Sequence, residues 1–165
     1  MALIISNSYY MVANMINEKQ ALESFMARCR EHGLRITAQR TAIYKALIDD
    51  RSHPSADMVY RKIRAAFPNI SFDTVNRTLS TFVDIGVLKV TESHNRQKRF
   101  DANTENHHHL SCVRCGRIVD FESREFDELK IPDGIRDRYE VLGKRVVIEC
   151  ICDACGSNSR KGGRR

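Results

Sequence analysis

The sequence predicts an α+β chain, with an N-terminal winged helix-turn-helix domain followed by a small α/β domain with a four-cysteine zinc site. Three observations predict it. Four segments with helix-period apolar residues and capping residues precede Gly86, and two short β-rich segments follow. Beyond Asn103 the pattern changes to short strands. Two near-identical knuckles, Cys112-Val113-Arg114-Cys115-Gly116 and Cys152-Asp153-Ala154-Cys155-Gly156, bracket most of that second half.

Residues 18–32 place Leu22, Phe25, Met26 and Cys29 at helical spacing, and Gly33 follows as a C-terminal cap. Thr37 caps a second helix running to about Asp49, with Ile43, Tyr44 and Leu47 on its apolar face. His53-Pro54 breaks the chain, because the residue before a proline avoids helical geometry. Ser55 caps a third helix over Ala56–Phe67, stopped by Pro68, and Ser71 caps a fourth over Phe72–Ile85, ended by Gly86. Val87–Thr91 and Gln97–Asp101 read as a hairpin around the polar Ser93-His94-Asn95-Arg96. In the second half, His109–Val113 and Arg117–Phe121 read as strands, Phe126–Ile131 as a short helix, and Val141 with Val146–Ile151 as further strand. The expected organisation is an N-terminal extension at 1–17, a winged-helix domain at 18–101, the α/β domain at 102–156 and a basic disordered tail at 157–165. Met11 and Met15 offer later starts within the extension.

Charge divides the chain the same way. The 165 residues carry 27 Lys and Arg against 21 Asp and Glu, a formal net charge of +6 with a pI near 9.1. The excess of cations lies in residues 19–100, whereas 101–156 carry an excess of Asp and Glu. A basic half joined to an acidic half points to a polyanion binder coupled to something different. Residues 1–16 are apolar-rich but lack a basic leader and are interrupted by Ser6, Asn7, Ser8 and Asn14, and no apolar run is long enough to cross a bilayer. The expectation is a cytoplasmic protein without a membrane partner. In that compartment paired C-x-x-C motifs favour metal over disulfide.

Cys112, Cys115, Cys152 and Cys155 supply four thiolates for a tetrahedral Zn²⁺. The stretch between the pairs is too long for a compact ribbon, so the ion would clip the two ends of the second domain together. Cys29 falls on an apolar helix face, and Cys150 lies outside the knuckle pattern. A second cluster is the triplet His107-His108-His109. If extended, it turns His107 and His109 to one side and His108 to the other. Asp101 and Asp120 lie nearby in sequence. Nitrogen and oxygen donors without sulfur suit Fe²⁺, Mn²⁺, Zn²⁺ or Co²⁺, and the competing reading is a histidine-rich polar loop.

Taken together, the motifs Gly33-Leu34-Arg35-Ile36-Thr37-Ala38-Gln39-Arg40, His53-Pro54-Ser55-Ala56-Asp57, Thr74-Val75-Asn76-Arg77-Thr78-Leu79, Arg99-Phe100-Asp101, the histidine triplet and the two knuckles resemble the ferric uptake regulator superfamily from about Gly33 to Gly156. The resemblance implies a homodimer paired through its C-terminal domains, with winged helices gripping a palindromic operator in double-stranded DNA. It implies a regulatory metal site between the domains, on His53, Asp101, His107, His109 and Asp120. Asp at both carboxylate positions is most similar to the peroxide-stress branch. There Fe²⁺ reacts with hydrogen peroxide and an oxygen is added to a ligand histidine, at the positions of His53 and His107 here, while Mn²⁺ supports repression without that chemistry. The other branch it resembles reads iron reversibly and more often has Glu at these positions. Two departures stand out. Asn76 replaces the family's usual tyrosine on the recognition helix and offers an amide suited to adenine. Lys144 stands where some members have a histidine of a further metal site, so a full third site is not expected.

The fourth helix presents the expected DNA surface. Ser71 and Thr74 can reach phosphates, Asn76 and Arg77 base edges, and Arg35 and Arg40 the backbone, with Lys98 and Arg99 added from the wing. A zinc enzyme is the competing class, but four thiolates leave no open metal position and no nucleophile–base pair is evident. A zinc-stapled interaction module would explain the knuckles but not the basic recognition helix.

Overall fold

The computed structural model describes residues 18–48, 50–92 and 97–156, Glu92 by its backbone alone. The expected extension, wing tip and basic tail lie outside the described residues. Four helices come first: α1 Glu18–Glu31, α2 Ala38–Ile48, α3 Ala56–Ile63 and α4 Phe72–Asp84. Hydroxyl caps start three of them. Thr37 Oγ1 accepts from the Arg40 amide at 3.3 Å, Ser55 Oγ from Met58 at 3.4 Å and Ser71 Oγ from Thr74 at 3.0 Å. Gly33, at φ 63°, ends α1 in the left-handed turn that only glycine adopts freely. Helix α3 stops at Ile63, short of the expected Phe67. Pro68 disfavours helical geometry at the residue before it, and the chain unwinds through turns while Phe67 still packs on the core.

The helices close around an aromatic centre. Phe25 stacks on Tyr44 with ring centroids 4.3 Å apart, and Phe82 meets both edge-on. Ile43, Leu47, Val59, Val75 and Leu79 complete the core. The wing follows as β1 Lys89–Glu92 and β2 Lys98–Asp101, antiparallel, with Val90 opposite Phe100 and Thr91 opposite Arg99. Its first strand begins at Lys89 rather than Val87, because Val87 and Leu88 are bound to the end of α4 through the Phe82 carbonyl.

The second half is a three-stranded sheet, β3 His108–Cys112, β4 Ile118–Phe121 and β5 Val147–Cys150, in the order β4-β3-β5. Strands β3 and β4 are antiparallel across the first knuckle. Strand β5 is parallel to β3, which requires a crossover, supplied by α5 Arg124–Asp127 and α6 Asp133–Arg136. Helix α5 sits two residues earlier than its expected start, where Phe126 can pack on Phe121 and His108. Helix α6 was not foreseen from the sequence, and Val141 lies outside any strand.

Candidate metal centres and nucleic-acid interface

Five side chains from separate elements point into one buried space between the two halves. His53 sits in the turn before Pro54 at φ 52°, a left-handed conformation that costs a non-glycine residue of order 1–3 kcal/mol and persists only where surroundings hold it. Asp101 ends β2. His107 and His109 flank the start of β3, and extended geometry turns both inward. Asp120 lies on β4 directly opposite His109. His53 Nε2 is 2.9 Å from Asp120 Oδ1, and His107 Nε2 is 3.0 Å from Asp101 Oδ2. His109 Nε2 lies 3.3 Å from Asp120 Oδ1 and 3.7 Å from Asp101 Oδ2. One donor atom each from His53, His107, His109 and Asp120 falls within 4.8 Å of the others.

The donor set converges with few aligned hydrogen bonds. His107 Nδ1 is 3.0 Å from the Glu105 carbonyl, which only accepts, so Nδ1 carries hydrogen and Nε2 of the neutral ring presents a lone pair. That Nε2 faces His109 Nε2 at 2.9 Å. Among the described residues, His53 Nδ1 and Nε2, Asp101 Oδ2 and Asp120 Oδ1 are buried without an aligned hydrogen bond. Converging lone pairs and carboxylates out of water are costly unless a cation or proton sits among them. Three imidazoles and two carboxylates fit a hard or borderline divalent ion such as Fe²⁺ or Mn²⁺.

The titration of these groups follows the same logic. Burial alone would raise Asp101 and Asp120, but the imidazoles around them outweigh it and hold both well below the usual carboxylate range. Burial alone would lower His109, but the contacts with Asp101 and Asp120 outweigh it and raise its pKa, so a proton on His109 is held more tightly than on a free imidazole. A cation must displace that proton. Mn²⁺ affinity is therefore expected to climb as pH rises through the raised His109 pKa, with net proton release counted by calorimetry in buffers of different ionisation enthalpy. A flat profile would mean that no proton is displaced.

His108 points to the other face of β3. It is fully buried against Phe121 and Phe126, its Nδ1 accepts from the Val146 amide at 3.2 Å, and its Nε2 is 3.4 Å from Asp127 Oδ1. Lys144 reaches the Leu129 carbonyl at 2.5 Å. A cleft of about 410 Å³ opens beside the five-residue cluster, lined by His53, Asp101 and Asp120 and by polar residues including Asp50, Ser52, Asn103 and Arg117.

The knuckle thiols Cys112, Cys115, Cys152 and Cys155 also lie within 4.8 Å of one another, with Cys115 Sγ and Cys152 Sγ 3.7 Å apart. Gly116 at φ 69° gives the first knuckle its turn. The Cys152 amide donates to Cys112 Sγ at 3.3 Å, and with the Cys115 and Arg114 amides it pulls the Cys112 thiol down to about 6. Cys155 is pushed up to about 12 by its hydrogen bonds with Cys152 and Cys115 and by the neighbouring sulfurs. Only a cation among them lets all four sulfurs ionise at this spacing, and the donor set fits tetrahedral Zn²⁺. Cys150 lies opposite Cys112 on the neighbouring strand, and Cys29 is buried in the helical core.

On α4 the residues expected at DNA, Ser71, Thr74, Asn76 and Arg77, are all exposed. Ser71 and Thr74 share a 2.8 Å hydrogen bond at the helix start, and Arg77 Nε is 2.9 Å from Asp73 Oδ2 on the surface. Arg35 is exposed, and its carbonyl accepts from Arg40 Nη1 at 2.5 Å. Arg99 departs from its expected place on the wing surface. Its guanidinium turns inward to Met58 Sδ at 3.2 Å and the His53 carbonyl at 3.5 Å. The sequence reading also missed Thr91, whose Oγ1 is 3.4 Å from His109 Nδ1. A lone threonine in a short strand carries no signal for that contact.

A family model described as the ferric uptake regulator family matches residues 31–140. The peroxide-responsive repressor PerR of Staphylococcus epidermidis is 39% identical over 146 residues, which cover 88% of this chain and 97% of that protein. The solved structure of the ferric uptake regulator from Francisella tularensis with iron is similar at a TM-score of 0.64 and 26% identity, over 75% of this chain and 96% of that one. The Helicobacter pylori ferric uptake regulator shares the fold at a TM-score of 0.71 and 21% identity, over 84% and 93% of the two chains.

Proposed function

The chain belongs to the ferric uptake regulator family, and from that premise we propose that it is a metal-dependent, DNA-binding transcriptional repressor that responds to peroxide. The observation that carries this is the convergence of His53 and Asp101 from the helical half with His107, His109 and Asp120 from the sheet half. Residues 18–101 act as the winged-helix domain and 102–156 as the sensing and dimerisation domain. An ion shared by all five side chains favours the one arrangement of the halves that places them together, and it shifts the population only by binding that arrangement more tightly. Cys112, Cys115, Cys152 and Cys155 hold structural Zn²⁺, while Fe²⁺ or Mn²⁺ occupies the regulatory site. Aspartate at both carboxylate positions supports the peroxide branch, as does the relative named for its peroxide response. Bound Fe²⁺ supplies the reduction of hydrogen peroxide that adds oxygen to a ligand imidazole, which Mn²⁺ does not.

Helix α4 reads the major groove with Asn76 and Arg77, while Ser71, Thr74, Arg35 and Arg40 hold phosphates. A second copy covers Val147, Ile148 and Ile151, apolar side chains exposed on and just after β5. Among the described residues no helix is long and apolar enough to cross a membrane. The protein works in the cytoplasm as a regulator, not an enzyme.

The test is selection from random DNA duplexes by the Zn²⁺- and Mn²⁺-loaded protein. A palindrome whose binding falls steeply with salt and needs Mn²⁺ supports the reading, and failure to enrich any sequence rejects it. Arg77→Ala is expected to weaken the selected operator by on the order of 1–3 kcal/mol while leaving Mn²⁺ affinity unchanged. An equal loss on every duplex would make Arg77 a phosphate contact instead.

A further inference from the structure

We propose that Thr91 and Arg99, facing each other across the wing hairpin, are positioning residues for two ligand histidines, so that the wing is braced on the regulatory metal site. The inference rests on the reading of that site given above. Thr91 and Arg99 are register partners on β1 and β2, and partners in register share a face of the hairpin. Thr91 is buried, with its hydroxyl 3.4 Å from His109 Nδ1. The other ring nitrogen of His109 is the one that faces Asp101 and Asp120. A hydroxyl that accepts from Nδ1–H fixes the tautomer whose Nε2 lone pair is free for an ion.

Arg99 does the corresponding work at the backbone of His53. Its Nη1 reaches the His53 carbonyl at 3.5 Å and Met58 Sδ on α3 at 3.2 Å. Its Nε is buried and without a hydrogen bond among the described residues. A methyl group built on Gly116 of the first knuckle would lie 3.5 Å from Nη2. The guanidinium is therefore wedged between the His53 turn, helix α3 and the knuckle. His53 has the left-handed backbone that needs such a hold, at φ 52°. Two residues after Arg99 comes Asp101, itself in the cluster. The wing thus meets the site at three points, the Asp101 carboxylate, the His109 ring and the His53 backbone. By linkage, whatever biases the wing biases metal affinity, and the reverse.

The test is calorimetric titration of Mn²⁺ into full-length, Zn²⁺-loaded protein, with His107→Ala marking the regulatory site. Thr91→Val and Arg99→Met are each expected to weaken Mn²⁺ about tenfold, the range of lost hydrogen-bond support behind a metal ligand. Thr91→Ser should restore binding, whereas Arg99→Lys should restore little because it lacks the planar fork. In a His53→Ala background, Arg99→Met should add no further loss, and a full additional tenfold loss overturns its role through His53. If Arg99→Met lowers the melting temperature of the metal-free protein, the Thr91→Val and Thr91→Ser pair decides alone. Wild-type affinity in both Thr91→Val and Arg99→Met, with His107→Ala still abolishing binding, overturns the inference but leaves the site. Absence of any His107-dependent Mn²⁺ binding in the wild type overturns the reading of the site and this inference with it.

Discussion

Removing the zinc from the four knuckle thiolates, by a strong chelator or by Cys152→Ser, is expected to melt the β4-β3-β5 sheet while the four-helix core stays folded. The two halves differ in what holds them. The helical half buries Phe25, Ile43, Tyr44, Leu47, Val59, Val75, Leu79 and Phe82 in one cluster. Among the described residues beyond Asp101, the buried apolar residues are Cys112 and Ile118 alone. Strand β3 has 5 residues, β4 and β5 have 4 each, and neither α5 nor α6 buries a side chain. So little apolar burial does not offset the conformational entropy of some fifty ordered residues, at roughly 1 to 2 kcal/mol each. Structural Zn²⁺ sites contribute an apparent 10–16 kcal/mol at about neutral pH, comparable to the whole stability of a small domain.

Hydrogen exchange separates the outcomes. The amides of His108–Cys112 and Val147–Cys150 should lose protection in the zinc-free protein, and those of Ala38–Ile48 and Phe72–Asp84 should keep it. Mn²⁺ binding should vanish too, because His107 and His109 flank the start of the strand that ends at Cys112. A Cys152→Ser protein with protected sheet amides would mean that dimer contacts, not the ion, hold this half.

Much of this arrangement is legible in the sequence because it is local. Thr37, Ser55 and Ser71 announce their helices, since a capping hydroxyl needs an amide only three residues away. The alternation that turns His107 and His109 one way and His108 the other is a property of any extended chain. What was not legible depends on partners distant in sequence. Arg99 reads as a wing cation until the fold sets Met58 and the His53 carbonyl beside it, 41 and 46 residues away. The Glu105 carbonyl that fixes the His107 tautomer belongs to the backbone and has no residue signature. Helix α5 is placed by the packing of Phe126 on His108, and α6 has too little apolar periodicity to be found.

A small dose of hydrogen peroxide is expected to add one oxygen atom to the Fe²⁺-loaded protein, mostly on His53 and less on His107, and to release it from its operator. The Mn²⁺-loaded protein should show neither change. The order of the two histidines follows from access. His53, Asp101 and Asp120 line the cleft of about 410 Å³, whereas His107 and His109 do not. A small uncharged oxidant therefore arrives on the His53 side. Both rings are buried, but His107 faces away from the cleft lining, its Nε2 3.0 Å from Asp101 Oδ2 and its Nδ1 3.0 Å from the Glu105 carbonyl. The consequence for DNA follows from where His53 sits. With Asp101 it is the helical half's share of the proposed ligand set, so damage there would weaken the link between halves rather than one ligand among equals. Peptide mass spectrometry locates the added oxygen, and a gel-shift titration on the selected operator reads release. Each tenfold loss of metal affinity withdraws about 1.4 kcal/mol from the DNA-competent arrangement, so two tenfold losses suffice to reverse a modest preference. Intact histidines with the protein still on DNA would instead mean that the same five side chains read iron or manganese reversibly, with the cleft serving the exchange of the ion.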